Sequence, residues 1–303
     1  MKITEYSTIR ERREGRCVVA LGFFDGVHLA HRKLISDAVS EARRRGLDAL
    51  VFTFRSESED IKRGAKRLYS TEDKLSLIAS LGVDEIVVAD FSELSFMSAE
   101  EFVGGFLVGR LNCEIAACGF NFRFGHRGAA DAARLDELMR RAGGGTIISG
   151  EIDYGEKPLS ASLIRELIAN RELRAANEAL GEPYFITGTV GGGISLGARL
   201  GAPTANTPID EGRLALPRGV YKTRVSLRGV EYPAVTNVGV CPTVGERALH
   251  AETHILNFKG NIYGERVKIS FLDFIREEMQ FDSEEALKMQ INVDINKVLN
   301  EKD

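Results

Sequence analysis

The feature that most constrains the fold is a change in the rhythm of apolar residues near position 182. From residue 17 to about residue 150, short apolar runs alternate with segments that carry apolar residues at helical spacing. Unbroken apolar strands between helices are typical of a parallel sheet covered on both faces. The predicted strands are 17–21, 49–54, 85–89, 115–118 and 146–149. The predicted helices are 31–45, 70–81, one capped by Ser98 and Glu101, and 131–141.

After Leu180-Gly181-Glu182-Pro183 the chain changes to successive short strands. These strands are predicted over 184–190, 220–227, 231–238, 251–258 and 265–272, and a terminal helix follows from Asp282. Several short strands and one terminal helix predict a small antiparallel β-barrel. We therefore predict an α/β chain of two domains, residues 1–182 and residues 183–303.

Charge, hydropathy and cysteine spacing narrow the class of protein. The net charge is −4, whereas proteins that bind nucleic acid usually carry an excess of basic residues, so we expect no nucleic-acid partner. No run of about 18 apolar residues occurs, so we expect no membrane span. The cysteines follow no zinc-site spacing, which indicates reduced thiols in a cytoplasmic protein. They are Cys17, Cys113, Cys118 and Cys241.

A glycine-containing turn separates the first predicted strand from the first predicted helix. It reads Gly22-Phe23-Phe24-Asp25-Gly26-Val27-His28-Leu29-Ala30-His31. Glycine lets the backbone approach a ligand closely, and the start of a helix offers N–H groups and positive charge to phosphate. The spacing places His28 and His31 on one side, where imidazole or imidazolium N–H groups could hold nucleotide phosphates. Taken alone, the same residues also describe a helix entry with two surface histidines.

Two later segments also follow predicted strands. They are Gly119-Phe120-Asn121-Phe122-Arg123-Phe124-Gly125 and Leu159-Ser160-Ala161-Ser162-Leu163-Ile164-Arg165. In the second, we expect Ser160 or Ser162 to cap a helix that has Arg165 in its first turn. Ordinary helix capping would explain that segment by itself. The three segments together, in this order, resemble the signatures of the nucleotidyltransferase superfamily in the form used by prokaryotic FAD synthetases.

This resemblance implies a Rossmann-like domain that transfers the adenylyl group of ATP to FMN. It implies that His28, His31 and Arg165 are catalytic. The nucleotide-binding residues that it implies are Gly22, Phe23, Asp25, Gly26, Asn121, Ser160 and Ser162. No protein nucleophile is needed, because the phosphate of FMN is already an anion that can attack the α-phosphorus of ATP.

A second glycine-rich stretch, from Gly188 to Gly201, leads into Pro203-Thr204-Ala205-Asn206. No P-loop motif occurs anywhere in the chain, so a P-loop kinase is excluded. Thr204 and Asn206 are neutral oxygen donors in a loop that we expect Pro203 to stiffen. Such donors can complete a Mg²⁺ shell that includes ATP phosphate oxygens. Alone, these residues could be a simple turn.

The wider pattern of this half resembles riboflavin kinase. The matching segments are Leu216-Pro217-Arg218-Gly219-Val220-Tyr221, Thr236-Asn237-Val238-Gly239, Cys241-Pro242-Thr243, Glu252-Thr253-His254-Ile255-Leu256, Tyr263-Gly264 and Arg276-Glu277-Glu278. The resemblance implies that Glu252 is the base that a poorly nucleophilic alcohol requires, acting on the ribityl 5′-hydroxyl of riboflavin. It further implies Mg²⁺ at Thr204 and Asn206, ATP contacts at Gly193, and an Arg276 that neutralises charge or orders the flavin loop. We interpret His254, on the same strand face as Glu252, as structural.

Departures from the two patterns lead to a further expectation. Ala198 stands where riboflavin kinases commonly have Arg. Phe23 and Ala30 stand where FAD synthetases have Asn and Gly, and Arg55-Ser56 replaces the start of an Asp-Pro-His-Pro run. A positive φ at Ala30 would cost on the order of 1 kcal/mol, or roughly fivefold in rate. We therefore expect FAD formation to be weaker than FMN formation.

Two alternatives stay open at this point. One is a riboflavin kinase whose N-terminal domain binds a nucleotide without catalysis. The other is a non-enzymatic regulator that binds a flavin or a nucleotide. The joint presence of Glu252, Thr204 and Asn206 favours an enzyme, because a regulator would not need a base.

Overall fold

A computed structural model of the protein describes residues 1–57, 66–191, 204–240 and 249–300. The chain divides into two compact units, Met1–Leu163 and Ile164–Asp303. Within the described ranges, no helix combines the length and the apolar composition that a bilayer crossing requires.

The first unit is built on a six-stranded parallel sheet with the strand order β1-β4-β3-β2-β5-β8. Its strands, with two short hairpins, are β1 Lys2–Glu5, β2 Cys17–Leu21, β3 Asp48–Phe54, β4 Glu85–Ala89, β5 Cys113–Gly119, β6 Arg123–Phe124, β7 Ala130–Asp131, β8 Gly145–Ser149, β9 Asp153–Tyr154 and β10 Lys157–Pro158. Its helices are α1 Leu29–Arg45, α2 Thr71–Ala79, α3 Phe91–Leu94, the π-helix Glu101–Val108 and α4 Ala132–Arg141. The predicted parallel α/β fold is confirmed.

Local sequence signals explain most of these elements. All five residues of β2 are buried, which is why the run 17–21 is apolar without alternation. Helix α2 begins after Ser70, whose hydroxyl accepts from Asp73 N at 3.1 Å. The predicted capping box is present, since Ser98 N donates to Glu101 Oε2 at 2.8 Å and Glu101 N donates to Ser98 Oγ at 3.1 Å. Strand β1 was not predicted, because its four residues depend on pairing with the edge of β4.

The second unit is a nearly closed antiparallel barrel with the strand order β11-β16-β13-β14-β15-β12. Its strands are β11 Phe185–Thr189, β12 Thr204–Pro208, β13 Gly219–Leu227, β14 Val230–Val240, β15 Leu249–Ile255 and β16 Arg266–Arg276. Its helices are α6 Leu173–Leu180 and α7 Glu284–Asn300, and α5 Ala161–Ala169 crosses the division between the units. A bridge between Gly191 and Asn206, with N to O at 2.8 Å, brings the two end strands together. The predicted barrel with a terminal helix is confirmed.

One sequence-based prediction is wrong in this unit. Thr204 and Asn206 lie in strand β12, paired antiparallel with β15, and not in a loop. The segment Thr204–Pro208 lacks the apolar alternation of a strand, so its conformation is decided by its partner strand. Gly193 and Ala198 lie outside the described residues.

Alternation along β15 decides which residues face the barrel core. Ala251, Thr253 and Ile255 are buried inside, and Thr253 joins a chain of hydroxyl hydrogen bonds across the core. Since successive strand side chains point to opposite faces, Glu252 lies on the outer face. The strand therefore presents Glu252 away from the core without disturbing the packing.

Helix α6 packs within the second unit. Asn177 Nδ2 donates to Phe271 O at 2.9 Å, and Tyr184 N donates to Asn177 Oδ1 at 2.7 Å. The compact division after Leu163 assigns this helix to the barrel unit. The domain boundary near residue 182 stays a prediction.

Candidate functional sites

The turn between β2 and α1 holds an uncommon backbone conformation. Phe24 has φ 54° and Val27 has φ 43°, both left-handed, and Gly26 between them has φ 81°. A left-handed non-glycine residue costs on the order of 1–3 kcal/mol, and Val27 is β-branched as well. Gly22 is required for a different reason, since a Cβ there would lie 2.8 Å from the Phe24 ring. The surrounding structure must hold this turn in place.

His28 and His31 lie together, as their spacing predicts. Their rings are stacked with centroids 3.6 Å apart, and the Phe24 ring meets His31 edge-on at 5.3 Å. The Nδ1 atoms of both histidines are buried and have no hydrogen-bond partner among the described residues. No side chain in the described part of the chain caps helix α1, which begins here, so N–H groups of its first turn lie beside the two ring nitrogens.

Burial keeps both histidines neutral near pH 7. It lowers the pKa of His28 from 6.5 to about 4. Burial also lowers the pKa of His31 well below its usual value, and the charges of His28 and Lys74 lower it further. Of the two forms that the sequence left open, the neutral imidazole is therefore the one present in the free protein. A neutral ring can donate from one nitrogen and accept at the other.

Two residues of the turn, Asp25 and Phe23, and Lys74 on α2 make further contacts around this site. Asp25 is buried, and its Oδ1 accepts from Leu68 N at 3.3 Å. Phe23 O accepts from Thr53 Oγ1 at 3.0 Å and from Lys74 Nζ at 3.1 Å. The Lys74 ammonium also lies 4.3 Å from the centroid of the Phe23 ring. Sequence reasoning missed Lys74, although helical spacing places it on the buried side of α2 with Ile78.

Two of the departures from the FAD synthetase pattern have clear structural outcomes. Ala30 lies in the first turn of α1 and is not one of the residues with positive φ, so the cost predicted for it does not apply. Arg55 donates to Glu5 Oε1 at 2.5 Å and is thereby drawn to strand β1. Next to it, the Ser56 hydroxyl is buried with no partner among the described residues.

The remaining predicted nucleotide residues lie on separate elements. Asn121 is exposed in the turn after β5. Ser160 Oγ accepts from Leu163 N at 3.2 Å, so Ser160 caps α5, and Ser162 is exposed in its first turn. Because the helix begins at Ala161, Arg165 lies in the second turn, which corrects the prediction of the first. No hydrogen bond between described residues links Asn121, Ser160 or Ser162 to the histidine pair.

In the second unit, a row of polar residues crosses three strands. Asn206 on β12 lies opposite Glu252 on β15, which lies opposite Asn237 on β14. Directly opposed residues project to the same face of a sheet, so the three side chains are neighbours. Glu252 is half-buried, and no hydrogen bond between described residues occupies its carboxylate. The structure thus brings together Glu252 and Asn206, which the sequence had placed in one site.

A histidine that the sequence reasoning did not select holds Asn206. His250 is buried, and its Nδ1 lies 2.9 Å from Asn206 Oδ1. It precedes Glu252 by two residues and so shares its strand face, a signal that the period of the strand carries. This contact uses one lone pair of the amide oxygen and leaves the second.

The donors on this face fit a Mg²⁺ ion. Thr204 is exposed two residues before Asn206, so its hydroxyl projects to the same face. Hydroxyl, amide and carboxylate oxygens are the ligands that this hard cation prefers. Thr204 and Asn206 therefore have the right chemistry and the right face to contribute to such a shell.

Arg276 has a strong partner within the barrel unit. Its guanidinium binds the buried carboxylate of Asp294 on α7, with Nη2 to Oδ2 at 2.8 Å and Nε to both oxygens at 3.1 Å. The contact fastens α7 to the end of β16. Its predicted role toward substrate stays a prediction, and Asp294 is a binding partner of Arg276 that the motif did not reveal.

Comparison with known proteins agrees with both halves. A family model described as FAD synthetase matches residues 10–163, and one described as riboflavin kinase matches residues 180–301. The bifunctional riboflavin kinase/FMN adenylyltransferase of Bacillus subtilis is 31% identical over 300 residues, which cover 96% of this chain and 94% of the relative. The protein of the same description from Listeria monocytogenes is 35% identical over 286 residues, which cover 91% of this chain and 90% of the relative.

A solved structure supports the fold as well. A Streptococcus pneumoniae protein described as a macrolide-efflux protein matches 100% of both chains, with a TM-score of 0.88 and 27% identity. The two family models and the relatives aligned over nearly the full chain indicate the same family. The chain belongs to the family of bifunctional riboflavin kinases/FMN adenylyltransferases.

Proposed function

We propose that this chain makes FMN from riboflavin and then FAD from FMN, using ATP in both steps. The observation that carries the proposal is that both family matches occur in order on one chain, each over the corresponding fold. A riboflavin kinase alone would account for residues 180–301, but it would not explain the match over residues 10–163. The substrates are riboflavin, FMN and ATP, with no nucleic-acid or membrane partner.

In the kinase step, Glu252 takes the proton of the ribityl 5′-hydroxyl. The oxygen then forms a bond to the γ-phosphorus of ATP, and the bond to the ADP oxygen breaks. The half-buried carboxylate lies beside Asn206 and has no hydrogen bond to another described residue, which supports this role. Arg276, held by Asp294 in the middle of α7, orders the end of β16 beside the terminal helix. Gly193 contributes to the ATP site by the resemblance alone.

Mg²⁺ is the cation that we infer for this site, held by Thr204 and Asn206 together with ATP. When bound, it neutralises charge on the phosphate groups. His250 holds the Asn206 amide and so limits its rotation. The oxygen donors on one strand face support the assignment.

In the adenylyl-transfer step, a phosphate oxygen of FMN attacks the α-phosphorus of ATP, and pyrophosphate leaves. The protein positions the reactants and stabilises charge, without a covalent intermediate. The N–H groups at the start of α1, which no described side chain caps, and the neutral rings of His28 and His31 support phosphate binding at this turn. Gly22, Phe23, Asp25 and Gly26 shape the turn. Asn121, Ser160, Ser162 and Arg165 complete the site by resemblance.

We also infer a cytoplasmic location, where ATP is available and thiols stay reduced. Three of the cysteines, Cys17, Cys113 and Cys118, are buried free thiols, which fits a reducing compartment. Cys241 lies outside the described residues.

The test incubates the full chain with riboflavin, ATP and Mg²⁺ and separates the flavins by chromatography. We expect FMN first and FAD afterwards at a lower rate, because Arg55-Ser56 replaces a stiff loop of the family. His31→Ala should lower FAD formation strongly and leave FMN formation unchanged, and Lys33→Ala on the exposed side of α1 should change neither. FMN without any FAD at high enzyme concentration would leave the kinase alone.

A further inference from the structure

Lys74 is a buried lysine beneath the turn between β2 and α1. It lies on α2 and is 1% exposed. An ammonium group is seldom buried unless strong hydrogen bonds compensate for the lost water. Here Nζ donates to Phe23 O at 3.1 Å and to Phe54 O at 2.6 Å, and it lies over the Phe23 ring. These contacts account for a charge in the interior of the first unit.

The two carbonyl groups lie at the end of one strand and just beyond the end of its neighbour in the parallel sheet. Phe54 ends β3, and Phe23 follows the end of β2, so Lys74 joins the ligand-binding ends of both strands. The hydroxyl of Thr53 also donates to Phe23 O, at 3.0 Å. Two donors therefore fix the peptide that immediately precedes Phe24.

That peptide is where the strained backbone begins. Phe24 and Val27 hold positive φ angles, which a chain keeps only when its surroundings impose them. The turn ends in His28, which stacks on His31. An anchor at Phe23 O therefore controls where both rings lie relative to the start of α1.

We propose that Lys74 is a positioning residue for adenylyl transfer, holding the turn 22–28 so that His28 and His31 face the ATP phosphates. The inference rests on the proposed adenylyltransferase function, and it adds a residue outside the three signature segments. Lys74 acts through the turn and has no direct role in the chemistry.

The charge of Lys74 also affects the histidine pair. Among the described residues, the groups that face His31 are His28 from the turn, the Phe24 ring edge, and Lys74 from α2. Burial lowers the pKa of His31 most, and electrostatic repulsion by His28, when it is protonated, and by Lys74 lowers it further. Removing the lysine charge should therefore raise the pKa of His31 toward its usual value.

The activity test compares Lys74→Met, Lys74→Arg and the exposed control Lys33→Met in the full chain. We expect Lys74→Met to lower kcat for FAD formation roughly tenfold or more while KM for ATP changes less, since the loss is one of positioning. Lys74→Arg keeps the charge and the donors and should recover most of the rate. FMN formation should stay unchanged in all three variants, because the Lys74 contacts described above lie within the first unit. A Lys74→Met kcat within about twofold of the unsubstituted protein would overturn the inference.

Two further measurements apply if Lys74→Met does not fold or if the unsubstituted chain forms no FAD. If Lys74→Met does not fold, as judged by circular dichroism, Thr53→Val removes one donor to Phe23 O and should lower kcat for FAD formation by roughly threefold. An unchanged rate would then overturn the inference. If the unsubstituted chain forms no FAD, the proposed function fails separately. In that case, NMR titration of His31 tests whether Lys74 acts on the histidine pair. We expect a higher midpoint in Lys74→Met, and an unchanged midpoint would overturn the inference.

Discussion

Glu252 is placed by the period of its strand and not by any local cap or turn. It lies on the outer face of β15, opposite Asn206 and two residues from His250. We expect Glu252→Gln to abolish FMN formation without unfolding the barrel, because the amide keeps the shape and cannot accept the proton. General-base catalysis is worth roughly 10²- to 10⁴-fold. The matched control is Glu231→Gln, at an exposed position of β14. If Glu252→Gln kept more than about a tenth of the kinase turnover, Glu252 would be excluded as the base.

His28 links the stability of the first unit to pH. Its pKa is about 4 in the folded protein against 6.5 for the ordinary residue, so below pH 6.5 the unfolded chain binds the additional proton. Stability is therefore fully present above pH 6.5 and falls as the pH drops toward 4. We expect a loss of about 2 kcal/mol between pH 7.5 and pH 5 from this residue. Urea unfolding at both pH values should show a smaller loss in His28→Gln, and equal losses would contradict the prediction.

At the scale of elements, the terminal helix α7 depends on one buried ion pair. Asp294 is 3% exposed and binds the Arg276 guanidinium through both carboxylate oxygens. Removing Asp294 leaves the partly exposed Arg276 with its bond to Glu277 O, so we expect Asp294→Ala to destabilise the barrel unit by about 1–3 kcal/mol. Lys297→Ala, on the exposed side of the same helix, should have little effect on thermal unfolding. If Arg276→Ala lowered kinase kcat without lowering the unfolding temperature, Arg276 would act on substrate and not on the helix.

At the scale of the whole molecule, helix α6 affects where the second, kinase unit begins. The sequence places the boundary near residue 182, whereas α6 buries Leu173 and Leu180 and bonds to β16 through Asn177. We expect a fragment of residues 164–303 to fold and to retain kinase activity. A fragment of residues 183–303 should melt roughly 10 °C lower, because it loses these leucines and the partner of Tyr184 N. Equal melting temperatures would support the boundary near residue 182.

The sequence by itself determined the two architectures and the motif positions. Unbroken apolar runs such as 17–21 specify strands buried on both faces, and the alternating runs of the second half specify barrel strands. Caps such as Ser70 and the Ser98–Glu101 box specify helix starts, because they act between residues three apart. These signals are local, and a single segment of chain carries them.

Only the tertiary structure decided which side chains meet across long stretches of chain. Strand β12 forms because β15 offers it hydrogen bonds, although its own residues give no strand pattern. The neutral state of the histidine pair follows from burial that no motif records. Arg276 forms an ion pair with Asp294, and Lys74 donates a hydrogen bond to Phe23, 51 residues earlier in the sequence. Such contacts depend on packing between distant segments, where hydrogen bonding and desolvation of a charge outweigh the preferences of any residue alone.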